Sequence, residues 1–129
     1  MDLNLNGKKA FVAGGSRGMG KAIAKVLVEE GVDVAIAARD IERLENAAND
    51  IRKNTSIKVV PISFDTGDKE SVDSAVKNAH SELGGIDILI NSAAIPNGSP
   101  AAVRPIDSLD ENALIGDFNI KYVGALRCA

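Results

Sequence analysis

A glycine-rich segment near the start of the chain has the composition of a phosphate-binding turn. Four of the seven residues from 14 to 20 are glycine, and the segment follows a short apolar run and leads directly into a helical pattern. The start of a helix presents free backbone N–H groups and the positive end of its dipole, which together attract phosphate. Glycines allow the tight turn and the close backbone approach that a Cβ atom would block. The segment therefore predicts a nucleotide phosphate site formed by Gly14, Ser16, Arg17, Gly18, Met19 and Gly20.

Two phosphate motifs overlap in this segment. From Gly15 onwards the residues match the Walker A pattern Gly-x-x-x-x-Gly-Lys-[Ser/Thr] as far as Lys21, but Ala22 stands where the pattern has a hydroxyl. Without that hydroxyl the loop lacks a ligand for Mg²⁺. From Gly14 onwards the spacing is instead Gly-x-x-x-Gly-x-Gly. A P-loop-like nucleotide binder therefore stands as the weaker alternative.

The hydrophobic pattern around this segment alternates between two kinds of element. Short apolar runs without an in-and-out alternation predict parallel strands that are buried on both faces, at residues 10–13, 34–38, 59–64 and 86–90. Apolar residues that recur at intervals of three and four predict four helices between and after these strands. The order predicts an α/β fold, a doubly wound Rossmann-type parallel sheet, in which ligands bind beyond the carboxyl ends of the strands.

The same spacing predicts which side of each helix packs inwards. Asp40 is the predicted N-cap of the second helix, and Ser108 with Glu111 forms a capping-box pattern that would open the fourth helix. The predicted inward-facing residues are Ala22, Ile23, Val26 and Leu27 in the first helix, Ile41, Leu44, Ala48 and Ile51 in the second, Val72, Ala75, Val76, Ala79 and Leu83 in the third, and Leu114 and Phe118 in the fourth, with Val123 and Leu126 as further candidates.

Composition and charge argue against several classes of function. The chain has 15 Lys and Arg against 18 Asp and Glu, for a net charge of −3, and its cations are scattered, which disfavours a nucleic-acid binder. No apolar stretch reaches the roughly 18 residues that a membrane helix needs. No Cys/His group has metal-ligand spacing, and the single Cys128 is expected to be a small buried apolar residue. We expect a cytoplasmic protein that binds no metal, membrane or nucleic acid.

The motifs at the strand ends resemble those of the short-chain dehydrogenase/reductase family. The family's glycine motif is Thr-Gly-x-x-x-Gly-x-Gly, from which this chain departs by Ala13 in place of the threonine. The run Asn91-Ser92-Ala93-Ala94 is similar to the family's Asn-Asn-Ala-Gly and matches it at Asn91 and Ala93, which the resemblance implies bind the cofactor. The resemblance implies an oxidoreductase that uses NAD or NADP to interconvert a carbonyl and an alcohol by hydride transfer on a small-molecule substrate.

The end of the second predicted strand bears on the choice between the two cofactors. Dinucleotide folds for NAD have an acidic residue there that accepts a hydrogen bond from the ribose 2′-OH, whereas an arginine suits the 2′-phosphate of NADP. In the family alignment the acidic position falls on Ala38, and Arg39 follows it. Arg17 would reinforce Arg39, and Asp40 suits an N-cap better than a ribose contact. We therefore predict NADP in preference to NAD.

The resemblance also assigns roles outside the glycine motif. It implies that Asp65, with Thr66 beside it, contacts the adenine, and that the backbone of Asn119 helps to hold a water in a proton relay. His80 lies beside the apolar stripe of the third helix, away from the strand ends, so it is predicted to be a surface residue. Tyr122 lacks a lysine four residues later and so does not match the family's catalytic Tyr-x-x-x-Lys; a packing role is predicted instead.

The resemblance covers the whole chain but corresponds to the N-terminal half of a family member. The family's catalytic Ser, Tyr and Lys would lie after Ala129, and a doubly wound fold joins two mononucleotide-binding halves. We therefore expect residues 1–129 to be an incomplete Rossmann unit of four strands and four helices that is inactive by itself. A non-catalytic dinucleotide-binding module is the alternative. The resemblance implies self-association through the helix that begins near Asp110, and apolar residues left exposed by an incomplete fold would favour it.

Overall fold

Parallel strands alternate with helices along the chain. The computed structural model describes residues 2–94 and 104–129. Within these ranges the strands are β1 (Lys9–Ala13), β2 (Asp33–Ala38), β3 (Val59–Ser63) and β4 (Ile88–Asn91), and the helices are α1 (Gly18–Glu29), α2 (Ile41–Arg52), α3 (Lys69–Leu83), α4 (Glu111–Phe118) and α5 (Gly124–Cys128). A 3₁₀ turn (Ile106–Ser108) precedes α4, and a π-helical turn (Asn119–Val123) joins α4 to α5 without a break in the helical backbone.

The four strands form one sheet in the order β3-β2-β1-β4. All pairs are parallel, and Val12 of β1 lies between Ile36 of β2 and Ile90 of β4. Because β4 lies next to β1 and not next to β3, the direction in which strands are added reverses between β1 and β4. Open α/β sheets bind their ligands at such a switch point. The predicted doubly wound, Rossmann-type sheet is confirmed.

Two apolar cores lie on opposite faces of this sheet. Successive side chains of a strand point to opposite faces, so Ala10 and Val12 pack with α1 and α2, whereas Phe11 and Ala13 pack with α3 and α5. The Phe11 ring meets the Phe64 ring edge-on, with 5.7 Å between centroids. Burial on both faces is why the strands have continuous apolar runs.

The strands differ from their predicted bounds at the ends. Strand β4 begins at Ile88 and not at residue 86, because the carboxylate of Asp87 accepts a hydrogen bond from the Lys9 backbone N–H at 2.9 Å before the regular ladder starts. Strand β3 ends at Ser63, although Phe64 still donates its backbone N–H to the Ala38 carbonyl.

Helix α1 turns a different face to the sheet from the one that its spacing predicts. Gly20, Ala24 and Val28 are buried, whereas Ala22 and Val26 are exposed. The reason is local, because a Cβ atom on Gly20 would come within 2.1 Å of the Gly14 carbonyl oxygen. The helix must therefore present Gly20 to the glycine-rich turn, and this contact sets the rotation of the remaining residues. Of the others predicted inside α1, Ile23 and Leu27 are half-buried.

Helices α2 and α3 agree better with their predicted faces. The side chain of Ile41, in the first turn of α2, is 48% exposed, which corrects that position. Val76 of α3 is half-buried. The other predicted residues are buried, namely Leu44, Ala48 and Ile51 in α2 and Val72, Ala75, Ala79 and Leu83 in α3.

The predicted capping box at the start of the last helical segment is wrong. Asp110 is the N-cap of α4, where its carboxylate accepts from the Ala113 N–H at 3.1 Å, while the Ser108 hydroxyl donates to the Pro105 carbonyl inside the 3₁₀ turn. The prediction that Leu114, Phe118 and Leu126 face inwards is also wrong, since all three are exposed, whereas Val123 is half-buried. The physical reason is that the segment packs on the molecule through α5, and α4 has no buried residue.

No helix in residues 2–94 and 104–129 has both the length and the apolar character needed to cross a membrane.

Candidate functional site

A cleft of about 940 Å³ lies at the carboxyl end of the sheet, beyond the switch point between β1 and β4. The glycine-rich turn after β1 and the segments after β2, β3 and β4 all contribute to its walls. Eight of the eleven predicted cofactor-binding residues line it, namely Gly14, Ser16, Arg17, Gly18, Met19, Arg39, Thr66 and Ala93.

The other predicted site residues lie around the cleft and are not among the described residues that line it. Gly20 is buried beneath the glycine-rich turn, while Asp65 and Asn91 are exposed at the ends of β3 and β4. Asn119 is half-buried in the π-helical turn, and its neighbour Ile120 lines the cleft.

The glycine-rich turn passes so close to the end of β4 that a side chain does not fit. Gly14 has φ +85°, and a Cβ atom built on it would lie 2.6 Å from the carbonyl carbon and oxygen of Ser92 and 2.7 Å from the Ala93 nitrogen. Both its conformation and this contact require glycine. Gly14 thereby lines the cleft with backbone alone.

The first turn of α1 leads out of this glycine-rich turn. Arg17 is its N-cap, and within the described part of the chain no side chain caps the helix and no acidic residue lies in its first turn. The helix dipole and the first N–H groups are therefore not neutralised by an acidic side chain. This is the electrostatic setting in which a helix start binds phosphate.

Lys21, the lysine of the Walker-like pattern, lies on the side of α1 that faces Asp50 of α2 and not on the cleft wall. Its ammonium group is 2.7 Å from the Asp50 carboxylate of α2. The hydrogen bond and charge of Lys21, followed by those of Lys53, lower the pKa of Asp50. Lys21 is not among the described residues that line the cleft, so its position argues against a P-loop.

Among the described residues, three arginines line the cleft. Arg17 is the N-cap of α1, Arg39 follows the end of β2, and Arg43 lies in the first turn of α2. Asp40 is the N-cap of α2, as predicted, and its Oδ1 accepts from the Arg43 backbone N–H at 3.0 Å. The sequence analysis missed Arg43; the available signal was its place in the first turn of the helix that Asp40 caps.

The segment after β3 is held by its own hydrogen bonds. The Asp65 carboxylate accepts from the Gly67 N–H at 2.8 Å, and the Asp65 N–H donates to the Ser71 hydroxyl at 2.9 Å. Thr66 is buried, and its carbonyl accepts from the Arg127 guanidinium at 2.8 Å. Arg127 therefore fixes the backbone of a cleft-lining residue.

Asn119 opens the π-helical turn and has two hydrogen-bonded groups. Its side-chain oxygen accepts from Arg127 at 2.8 Å, and its backbone carbonyl accepts from the N–H of Gly124, five residues later. π-helical turns of this kind often occur at functional sites. The role of Asn119 in a proton relay stays a prediction.

The remaining candidates lie outside the cleft. His80 is exposed on α3. The Tyr122 ring is 66% exposed and stacks on Phe118 with 4.9 Å between centroids. Cys128 is buried, and burial raises the pKa of its thiol. Within residues 2–94 and 104–129, no group of three or more His, Cys, Asp or Glu side chains could hold a metal ion.

Comparison with known proteins gives matches over nearly the whole chain. The family described as short chain dehydrogenase matches residues 8–129. An uncharacterized oxidoreductase of Staphylococcus aureus is 42% identical over 117 residues, which are 91% of this chain and 48% of that protein.

Two solved structures illustrate the similarity of the fold. L-sorbose reductase from Gluconobacter frateurii, complexed with NADPH and L-sorbose, is 31% identical with a TM-score of 0.90, over 100% of this chain and 47% of that one. The 3-ketoacyl-(acyl-carrier-protein) reductase from Brucella melitensis, complexed with NADH, is 27% identical with a TM-score of 0.85, over 96% and 48%.

The chain spans about half the length of the curated relatives that it matches. The family match extends from just before β1 through α5, and so includes every element that surrounds the cleft. This chain therefore belongs to the short-chain dehydrogenase family.

Proposed function

We propose that this chain is the dinucleotide-binding part of an oxidoreductase that interconverts a carbonyl and an alcohol with NADP(H). The observation that carries the proposal is the contact between Gly14 and the backbone of Ser92, where a Cβ atom would be 2.6 Å away. Gly14 therefore presents only backbone to the cleft, next to a helix whose first turn has no acidic side chain in the described part of the chain. Such a surface suits a pyrophosphate, which needs close approach to backbone N–H groups.

Each part of the cofactor has candidate partners around the cleft. The turn from residue 14 to residue 20 would hold the pyrophosphate, Arg17 and Arg39 the 2′-phosphate, Asp65 and Thr66 the adenine, and Asn91 and Ala93 the ribose on the nicotinamide side. When bound, the cofactor supplies or accepts the hydride. The residues of this chain bind and orient it.

The preference for NADP rests on charge at the end of β2. The two solved relatives do not decide it, since one is complexed with NADPH and the other with NADH. Ala38 offers no carboxylate to a ribose 2′-OH, whereas Arg17 and Arg39 line the cleft and can pair with a phosphate. Charge-assisted hydrogen bonds to a phosphate contribute about 1.5–3 kcal/mol, which corresponds to roughly tenfold to hundredfold discrimination.

Asn119 is the residue of this chain that we assign to the proton relay. Its backbone would help to hold a relay water, and the substrate would be a small carbonyl or alcohol. General acid–base catalysis contributes about 10²- to 10⁴-fold in rate. Residues 2–129 contain no Tyr-x-x-x-Lys, so we propose that the 129-residue chain binds cofactor but does not turn over substrate.

We also propose that the protein is cytoplasmic and self-associates through α4 and α5. The single cysteine cannot form a disulfide within the chain, which suits a reducing compartment. Leu114, Phe118, Tyr122 and Leu126 recur every four residues along the last helical segment, and each is between 43% and 75% exposed. A second copy related by a two-fold axis would cover this stripe.

Calorimetric titration of the chain with NADPH and NADH, without Mg²⁺, tests the proposed function. We expect NADPH to bind at least tenfold more tightly than NADH, and the variant Arg39→Gln to reduce that ratio to within about threefold. Tighter binding of NADH would overturn the NADP preference. Binding of neither cofactor, or binding of ATP that requires Mg²⁺, would contradict the dinucleotide site itself.

A further inference from the structure

Arg43 occupies a position for which the family resemblance gives no role. It lies in the first turn of α2 and lines the same cleft as Arg17 and Arg39. Its guanidinium Nη2 is 3.9 Å from Oδ2 of Asp40, which is longer than the 2.7–2.9 Å of a strong charge-assisted hydrogen bond. Both side chains are about half exposed. Arg43 is therefore close to Asp40 but is not held by it in one position.

We propose that Arg43 is a third determinant of cofactor choice, which binds the 2′-phosphate of NADP together with Arg17 and Arg39. This inference rests on the proposed function and extends it to a residue outside the recognised motifs. Three arginines and one aspartate on the described cleft wall leave a net charge of +2. A phosphate monoester carries about −1.5 to −2 at pH 7, so the two charges match. The adenosine ribose of NAD has a neutral 2′-hydroxyl in place of this phosphate.

Asp40 acts in this arrangement as a structural residue that weakens phosphate binding. One carboxylate oxygen accepts from the Arg43 backbone N–H and caps α2, so the chain keeps an acidic residue here for the helix. Its negative charge nevertheless faces the proposed phosphate site and partly neutralises Arg43. Asparagine caps helices about as well as aspartate does, so Asp40→Asn removes the charge and keeps the cap.

The test compares two adenosine nucleotides that differ by one phosphate. Adenosine 2′,5′-bisphosphate and adenosine 5′-monophosphate are titrated into the wild-type chain, Arg43→Gln and Asp40→Asn by calorimetry at low and at moderate salt. Lys53→Gln removes an exposed cation just after the far end of α2. Asp110→Asn changes another N-cap, whose carboxylate accepts from the N–H three residues later, as Asp40 does. These two variants are the matched controls.

We expect Arg43→Gln to weaken bisphosphate binding about 5- to 20-fold while monophosphate binding changes by less than about twofold. Asp40→Asn should strengthen bisphosphate binding about threefold, more at low salt. The controls should match the wild type. If Arg43→Gln lost the same amount of affinity for both nucleotides, or lost affinity for neither, the role of Arg43 would be overturned while the dinucleotide site stands. Failure of the wild type to bind either nucleotide would overturn the proposed function, and the role of Arg43 with it.

Discussion

Gly14 lies where the turn after β1 passes over the end of β4. The short distance to the Ser92 backbone excludes a side chain at Gly14 more strictly than the left-handed φ of the turn does. Four glycines in seven residues were enough to predict a phosphate-binding turn from the sequence. The contact with Ser92 could not be predicted in the same way, because it joins residues that are distant in the chain and depends on β4 lying next to β1. Arg43 was missed although a local signal was available, because its place on the same cleft wall as Arg17 is a property of the folded chain.

At the residue scale, we expect Gly14→Ala to lower the free energy of unfolding by about 3 kcal/mol and to abolish NADPH binding. The left-handed φ contributes about 1–2 kcal/mol of this loss and the overlap with Ser92 the rest. Urea denaturation measures the first effect and calorimetric titration the second.

Gly7→Ala is the matched control for that variant. Gly7 also has a left-handed φ, of +79°, but nothing lies within 4 Å of a Cβ atom built on it. Gly7→Ala should lower the free energy of unfolding by only about 1 kcal/mol and leave cofactor binding unchanged. Equal losses in the free energy of unfolding for the two variants would show that the close approach to Ser92 makes no contribution to the effect of Gly14→Ala.

At the scale of elements, Arg127 connects the last helical segment to the loop between β3 and α3. Its guanidinium bonds both the Thr66 carbonyl and the Asn119 side chain. Gly124 makes this close packing feasible, because a Cβ atom there would lie 2.9 Å from the Thr66 Cβ. One arginine therefore connects the two elements that contribute Thr66 and Ile120 to the cleft wall.

Replacing Arg127 by alanine should loosen this connection. We expect a loss of about 2 kcal/mol in the free energy of unfolding, since half-buried hydrogen bonds from a charged group are broken. Amide exchange at Thr66 and Gly67 should become faster than in the wild type, as measured by hydrogen–deuterium exchange. Lys77→Ala removes an exposed cation from α3 and should change neither quantity. Unchanged exchange at Thr66 in Arg127→Ala would contradict the connecting role.

The N-caps of the helices and their buried sides could be predicted only where no neighbouring residue or tertiary contact competed with the local sequence signal. Asp40 was predicted as an N-cap because a carboxylate before an apolar helical pattern is a strong local signal. The Ser108 capping box failed because Asp110, two residues later, offers a carboxylate that competes for the helix start. The rotation of α1 could not be read from its apolar residues, because the contact of Gly20 with the glycine-rich turn sets it.

For the whole molecule, the alternation of apolar runs and helical patterns was sufficient to predict the parallel sheet and the edge at which the cleft lies. Parallel neighbours need a crossover helix, which this alternation supplies, but the order β3-β2-β1-β4 is a feature of the folded chain. The exposed face of the last helical segment was the main error. Its apolar spacing predicted burial of Leu114 and Phe118, whereas no other described part of this chain buries them.

The oligomeric state in solution tests whether a second copy of the chain covers the exposed apolar face of the last helical segment. We expect the wild-type chain to sediment as a dimer or larger species at micromolar concentration, and Phe118→Asp to shift it to monomer. Val26→Asp places the same charge at another exposed apolar residue, on α1, and should leave the assembly intact. Sedimentation velocity distinguishes these cases. A monomeric wild type would refute the proposed self-association.

The π-helical turn between α4 and α5 has a consequence for how related chains can vary in length. The Gly124 N–H bonds the carbonyl five residues earlier, where an α-helix bonds four residues back, so the turn holds one extra residue. Loss of that residue would leave an unbroken α-helix with α4 and α5 still in their present orientations. The same deletion after Val123 would rotate Arg127 by about 100° away from Thr66. Single-residue gaps between aligned relatives are therefore tolerable at residues 120–123, which leaves Asn119 in place, and damaging at residues 124–126.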